Sequence, residues 1–423
     1  MLINEKTRTF IRQHANDDVR KLALQGTKDE DVDLTLALQQ IAGWQTARRK
    51  LPTWATTEGI IYPPHLNMEQ CSSEQTARYK ADRVLGRMTD RGGTLVDLTG
   101  GFGVDFYWMS QGFRKRVYVE QSEVLCAIAE QNFGVLGLAC SVCCCDTATY
   151  LKAMEPATVV FLDPARRDGY GGRTYSIEDC TPNVLELLPL LMQKADCVLL
   201  KLSPMLDWRK AVEDIQKQNA NGGQRTAHVS EVHIVSVDNE CKELLLVVGK
   251  EPLSELHLCC VNNDQHFQYF CPEQTGTFLG GNSDFPRSKL PVCPDTLKTA
   301  LFLYEPNASI MKAGCFAELE QRFAVRQVAS NSHLFLSDDE ISDFPGRKFK
   351  ILAVSSLNKQ EINKKFSKSL KPMERANIAV RNFPLTAEQL RKKLKLKDGG
   401  DTYLFATTLA DGQHRLFICR KIG

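Results

Sequence analysis

Four acidic residues stand at the ends of short apolar runs, and glycines follow the first of them. In "LVDLTGGFGVD", residues 95–105, Asp97 closes the run and Gly100, Gly101 and Gly103 form a turn. Glycine carries no Cβ, so such a turn lets the backbone approach a bound ligand closely. The pattern departs from a dinucleotide fingerprint, because Asp105 and Phe106 stand where its third glycine would follow. Glu120 ends "RVYVE", twenty residues after Gly100, the spacing at which an acid accepts hydrogen bonds from ribose hydroxyls. Glycine turn and acid together point to a nucleoside-type cofactor. Asp146 ends "VCCCD"; it is either an acceptor for an adenine amino group or the N-cap of the helical "TATYLKAM". The fourth run, "VVFLDPARRDGYGG", residues 159–172, opens onto Asp163, Pro164, Ala165, Arg166, Arg167 and Asp168.

These residues need a scaffold, and the chain supplies one by alternation. "TLVDL", "RVYVE", "ACSVCCCD", "TVVFLD" and "CVLLKLS" are apolar runs separated by helical stretches such as "NVLELLPLLMQKA". Apolar strands alternating with amphipathic helices predict a parallel sheet covered on both faces. "HVSEVHIVSVD" and "KELLLVVGK", joined across "NEC", predict a hairpin that completes a seven-stranded doubly wound domain over residues 72–250. Residues 1–71 read as a helical segment. There "DVDLTLALQQIAGWQTARRKLP" places Leu34, Leu36, Leu38, Ile41 and Trp44 on one face before Pro52. The extended "IYPPHLNMEQC" follows, and Ser72 and Gln75 have capping-box spacing for the next helix. Residues 251–345 read as a small α+β domain, with strands in "LHLCCV" and "FQYF". Residues 346–423 form a basic domain with strands in "FKILAVSSL", "DTYLFATTL" and "HRLFICRK" and a helix in "TAEQLRKKLKL".

Charge is unevenly spread over the 423 residues. From Gly346 onward there are 18 lysines and arginines against 6 acids, a surplus of +12, although the whole chain carries only +2. Such asymmetry points to a polyanionic partner, with Arg391, Lys392, Lys393, Lys395 and Lys397 as the densest cluster. A solvated helix face is the plain alternative for that run taken alone. No apolar run approaches a membrane span, and "MLINEKTRTFIRQ" lacks a signal-peptide core, so no membrane role is expected. Fifteen scattered cysteines imply reduced thiols and a cytoplasmic setting. Cys140 and Cys143 have CxxC spacing but no second pair. His228 and His233, five apart in a strand, face opposite sides. No metal is expected.

The ordered set of motifs resembles class I S-adenosylmethionine-dependent methyltransferases. "DLTGGFG" is similar to their first motif, Glu120 to the ribose acid, Asp146 to the adenine-side acid, and "LDPAR" to the fourth motif. "EQCSSEQTARYKA", "KLSPMLD" and "RNFPLTAEQLRKKLKLKDGGDTYLF" resemble the bacterial members that carry a C-terminal THUMP-like domain. The resemblance implies an α/β fold: a Rossmann-like seven-stranded methyltransferase domain, an N-terminal helical segment and two small C-terminal α+β domains, the first ferredoxin-like. It implies S-adenosyl-L-methionine as cofactor and, because THUMP domains elsewhere bind RNA, a base in tRNA or rRNA as target. Ser72 and Ser73 would lie near the methionine end of the cofactor. Asp163 would accept from a target amine, Pro164 would shape the carbonyls, and Arg166 would hold base or phosphate. Asp168 is a second possible base or a partner of Arg167, and Lys201 faces either the site or the helix layer. Amino-group enzymes usually carry proline and an aromatic where Ala165 and Arg166 stand. The arginine resembles the uridine-C5 enzymes, but no cysteine here has their nucleophile's context. The rival expectation is a catalytically silent RNA-binding or assembly factor. Against it stands the ribose acid, for which a bare scaffold has no evident need.

Overall fold

The computed structural model describes residues 3–87, 92–166, 176–218, 227–252, 255–272, 300–357 and 374–422. The chain divides into two compact units, residues 1–230 with 245–253, and residues 231–244 with 254–423.

The first unit begins with helices Glu5–His14, Val19–Gln25, Leu34–Lys50, Pro52–Ala55 and His65–Gln70. Asp33 caps the longest of these by accepting from the Leu36 N–H. Its buried residues are Ala37, Gln40, Ile41, Gly43 and Ala47, so the face turned inward is narrower than the leucine pattern predicts. The reason is the extended segment that lies along it. Gln40 accepts from the Tyr62 N–H at 2.8 Å and donates to the Tyr62 carbonyl at 2.9 Å, satisfying backbone that no helix or strand would pair.

Strands and helices then alternate as expected: β1 (Thr94–Asp97), β2 (Lys115–Glu120), β3 (Ser141–Cys144), β4 (Ala157–Leu162), the two-residue β5 (Ala165–Arg166) and β6 (Cys180–Thr181), and β7 (Ala195–Leu202). β1 pairs in parallel with β2 and β4, β2 with β3, and β4 with β7. Buried residues run through β4 and β7, the mark of parallel strands covered on both faces. β3 is the edge strand, and its residues are exposed or half-buried rather than buried as the cysteine-rich run predicts. β8 (His228–Val237) and β9 (Glu240–Gly249) form the expected hairpin. Asp238 and Asn239, at φ +52° and +63°, make the turn, the pair of left-handed residues that a two-residue hairpin favours. β9 lies beside β7.

In the second unit β10 (Glu255–Asn262) pairs in parallel with β8, and β11 (Gln265–Pro272) antiparallel with β10. These strands, assigned from sequence to a separate small domain, instead extend the sheet begun by β8. A second sheet comprises β12 (Phe302–Pro306), β13 (Arg326–Gln327), β14 (Phe335–Ser337), β15 (Gly346–Ser355), β16 (Asn377–Arg381), β17 (Thr402–Thr408) and β18 (His414–Ile422), in the order β13-β14-β12-β15-β18-β17-β16. Leu303, Phe349, Phe405 and Phe417 are fully buried on it, each contributing about 1.5–3 kcal/mol by burial. Among the described residues no helix is long and apolar enough to cross a membrane.

Candidate active site

The glycine turn sits between β1 and the helix Val104–Met109. The Gly100 N–H donates to the Val119 carbonyl at 2.9 Å, holding the turn against β2. A Cβ at Gly100 would lie 2.3 Å from the Tyr118 ring. That ring is buried, and its hydroxyl donates to the Gly101 carbonyl at 2.6 Å, so it has nowhere to retreat. Gly100→Ala is therefore expected to lower unfolding free energy by about 1–3 kcal/mol, the range for overpacking, read from urea melts. Gly103 takes φ +83°, which a side chain would resist.

Glu120 closes the turn from the β2 side. One carboxylate oxygen accepts from the Gly101 N–H and the other from the Ser122 N–H, each at 2.9 Å. A Cβ at Gly101 would meet nothing nearer than 3.8 Å, so the turn is open to a ligand beside the acid. The turn and its half-exposed carboxylate fit a nucleoside.

Asp97 is 1 % exposed and accepts from the Thr99 N–H at 2.9 Å. Burial pushes its carboxyl well above the usual range; the Thr99 N–H and Lys201 work against that shift, while Asp105 and Asp163 add to it. With the folded value raised, stability from this group is full below the unfolded value near 4 and declines as pH rises. Asp97→Asn, which does not titrate, should gain thermal midpoint over wild type at pH 8 and gain less at pH 4. Melts at the two values test this.

Asp163 follows β4. Its N–H donates to Thr99 Oγ1 at 2.6 Å, joining the loop to the end of β1. Its carboxylate accepts from Lys201 Nζ at 2.6 Å, and the same ammonium reaches Asp105 at 3.2 Å. Asp105 also accepts from Ser72 Oγ at 2.7 Å and pairs with fully buried Lys80 at 3.0 Å. Burial alone would raise the Asp105 carboxyl, but Lys201 and Lys80 outweigh it and hold it at about 2. The structure thus assembles Ser72, Lys80, Asp105, Asp163 and Lys201 into one charged chain behind the glycine turn.

Sequence reasoning named Ser72, Asp163 and Lys201 but not Lys80, Asp105 or Thr99. Asp105 was visible only as the residue that breaks the dinucleotide pattern. Lys80 carried no signal, being one polar residue in a helical run. Ser73, not Ser72, caps the helix Glu74–Tyr79 by accepting from the Thr76 N–H, so the cap lies one residue later than the Ser72–Gln75 spacing implies. Ser72 is thereby left for Asp105. Asp146 is exposed and caps Thr147–Ala153 by accepting from the Thr149 N–H at 2.9 Å. Pro164 is buried, and Arg166 pairs through its backbone with Cys180. Arg167 and Asp168 lie outside the described residues.

In the second unit Thr386 and Gln389 form a capping box for the helix Ala387–Leu394, whose Leu390 is buried. Lys392, Lys393, Lys395 and Lys397 are exposed. Lys392 pairs with Glu388 at 2.9 Å, and half-buried Arg391 pairs with Asp398. Arg347 and Arg381 converge on buried Glu305, an acid that precedes Gly346 and offsets one charge of the basic surplus.

Residues 302–345 match a ferredoxin-like domain family and residues 346–421 a THUMP domain-like family. No curated protein matches the chain. Over the full length of both chains the structure is similar to one from Porphyromonas gingivalis W83 described as a "putative methyltransferase", at 28% identity and a TM-score of 0.79. A "putative class I S-adenosylmethionine-dependent methyltransferase" from Listeria monocytogenes shares 10% identity at a TM-score of 0.39, over 62% of this chain and 94% of that one. The M1A22 tRNA methyltransferase TrmK of Bacillus subtilis shares 11% identity at 0.29, over 42% and 65%. This chain has the fold of a methyltransferase-related protein throughout and ends in a domain of the THUMP-like family.

Proposed function

We propose that the protein is an S-adenosylmethionine-dependent methyltransferase that modifies a base in structured RNA, tRNA or rRNA, with its basic C-terminal domain engaging the RNA. The observation that carries this reading is the Asp163–Lys201 pair at the adjoining ends of β4 and β7, tied through Thr99 to the glycine turn. A polar group that the target base needs is thereby coupled to the turn that suits a nucleoside.

When bound, S-adenosylmethionine supplies an activated methyl group on a sulfonium. Glu120, Gly101 and the open side of the turn would hold its ribose, and Asp146 its adenine. The protein's remaining task is alignment and exclusion of water. Lys201 donates to one Asp163 oxygen and fixes the carboxyl group in place, so the target amine can direct a proton toward it and its lone pair toward the methyl group. Pro164 shapes the loop, and Arg166 would hold base or phosphate. The THUMP-like match and the +12 surplus support RNA as substrate class. Lys392, Lys393, Lys395 and Lys397 would meet phosphates, giving affinity with steep salt dependence and little sequence choice.

A second reading, a catalytically silent RNA-binding factor, is favoured by one observation: Glu120 already has a structural task in holding the turn. Incubation with labelled S-adenosylmethionine and RNA from cells lacking the gene separates the two. Label in RNA establishes the enzyme; no label, with cofactor and RNA both shown to bind, establishes the silent factor.

A further inference from the structure

The second unit holds a cluster of donor side chains that the proposed reaction does not use. β8 and β10 are parallel and in register, with Glu231 opposite His257 and His233 opposite Cys259. Residues two apart on a strand share a face, so all four side chains gather on one side of the sheet. His257 Nδ1 lies 3.8 Å from Glu231 Oε2 and 3.8 Å from Cys259 Sγ. One donor atom from each of the three lies within 4.8 Å of the other two. Phe270 stacks on the His257 ring at 4.7 Å and 17°, fixing its plane.

We propose that Glu231, His257 and Cys259 bind a first-row divalent transition ion, zinc by preference, with His233 as the positioning residue for Glu231. Carboxylate, imidazole and thiolate form a mixed set suited to a borderline-soft ion. Bonds of roughly 2.0–2.3 Å in a tetrahedron set donor atoms about 3.3–3.6 Å apart, so the two 3.8 Å separations need a small contraction and the third, within 4.8 Å, can need a larger one. His233 is fully buried, and its Nε2 lies 2.8 Å from the Glu231 carboxylate, the supporting bond that orients a ligating acid. Glu231 and His257 keep 22 % and 14 % of their side-chain surface exposed, which gives the ion a way in and leaves a fourth position for water. Binding releases the Cys259 thiol proton to solvent, and the ligands' two negative charges then balance the ion. The site ties β8 to β10 and is independent of the reaction proposed above.

The expectation of no metal rested on CxxC and i,i+5 histidine spacings. Two i,i+2 pairs on neighbouring strands fall outside every such pattern. The test is cobalt titration of the full-length protein after chelation. A single equivalent should bind with a thiolate-to-cobalt charge-transfer absorption in the near ultraviolet. Cys259→Ser should remove that absorption, and Cys143→Ser should leave it. His233→Gln should keep the absorption with affinity lowered about 10–100-fold, as outer-shell losses do. If Cys259→Ser does not fold, Glu231→Gln decides, by weakened cobalt affinity with an unchanged circular dichroism spectrum. No absorption in wild type, absorption that survives Cys259→Ser, or undiminished affinity in Glu231→Gln overturns the proposal.

Discussion

Asp105→Ala is expected to destabilise the protein by about 3–5 kcal/mol, the range for removing one partner of a buried ion pair. The side chain is 10 % exposed and lies between Lys80, fully buried, and Lys201, 9 % exposed. Without it two ammonium groups remain in a low-dielectric setting with less opposing charge. Lys80 keeps the Ser72 hydroxyl at 3.3 Å, which does not neutralise it. Urea unfolding at neutral pH measures the loss. The pH dependence has a definite sign. The folded Asp105 carboxyl, at about 2, lies below its unfolded value, so its contribution is present above about 4 and is lost as pH falls toward 2. The gap between wild type and Asp105→Ala should therefore narrow in acid. A gap that stays constant from pH 7 to pH 3 would contradict the ion-pair account.

Asp163→Ala is expected to cut methyl transfer by about 10²–10³, the loss found when one positioned hydrogen-bonding group is taken from a reaction centre. Stability should change little. The carboxylate is 36 % exposed, and Lys201 retains Asp105 at 3.2 Å when Asp163 is removed. Activity and folding are thus separable at this position, as they are not at Asp105. Asp163→Asn retains an acceptor oxygen without the charge and should fall between wild type and alanine. Label transfer into RNA, alongside cofactor binding by calorimetry, checks both variants. Normal transfer by Asp163→Ala would remove the role given to the residue.

What could be read from the sequence was what is local. Strand–helix alternation, the hairpin and the order of the acids at strand ends are set within ten or twenty residues by apolar patterning and turn chemistry, and the structure has them. Misreadings came where distant segments decide. Helix Leu34–Lys50 turns Gln40 inward because Tyr62 needs its backbone satisfied, which no helical periodicity encodes. β10 and β11 join the sheet through β8 because register across strands, not composition, selects the partner. The charged chain behind the turn joins Ser72 and Lys80 to Asp105, Asp163 and Lys201, segments far apart in sequence that share no spacing rule. The one-residue difference between Ser72 and Ser73 matters most there, since the cap that frees Ser72 for Asp105 falls on its neighbour.

Glu120 has a consequence for descent. A carboxylate offers two equivalent acceptors, and here each meets a backbone N–H, from Gly101 and from Ser122. Glutamine would turn an amide NH₂ toward one of those donors and leave it without an acceptor. Even this nearly isosteric exchange would loosen the loop. A lineage that abandoned methyl transfer would go on keeping glutamate here merely to fold, so an acid preserved across relatives would record the upkeep of the loop as well as its ancestral chemistry.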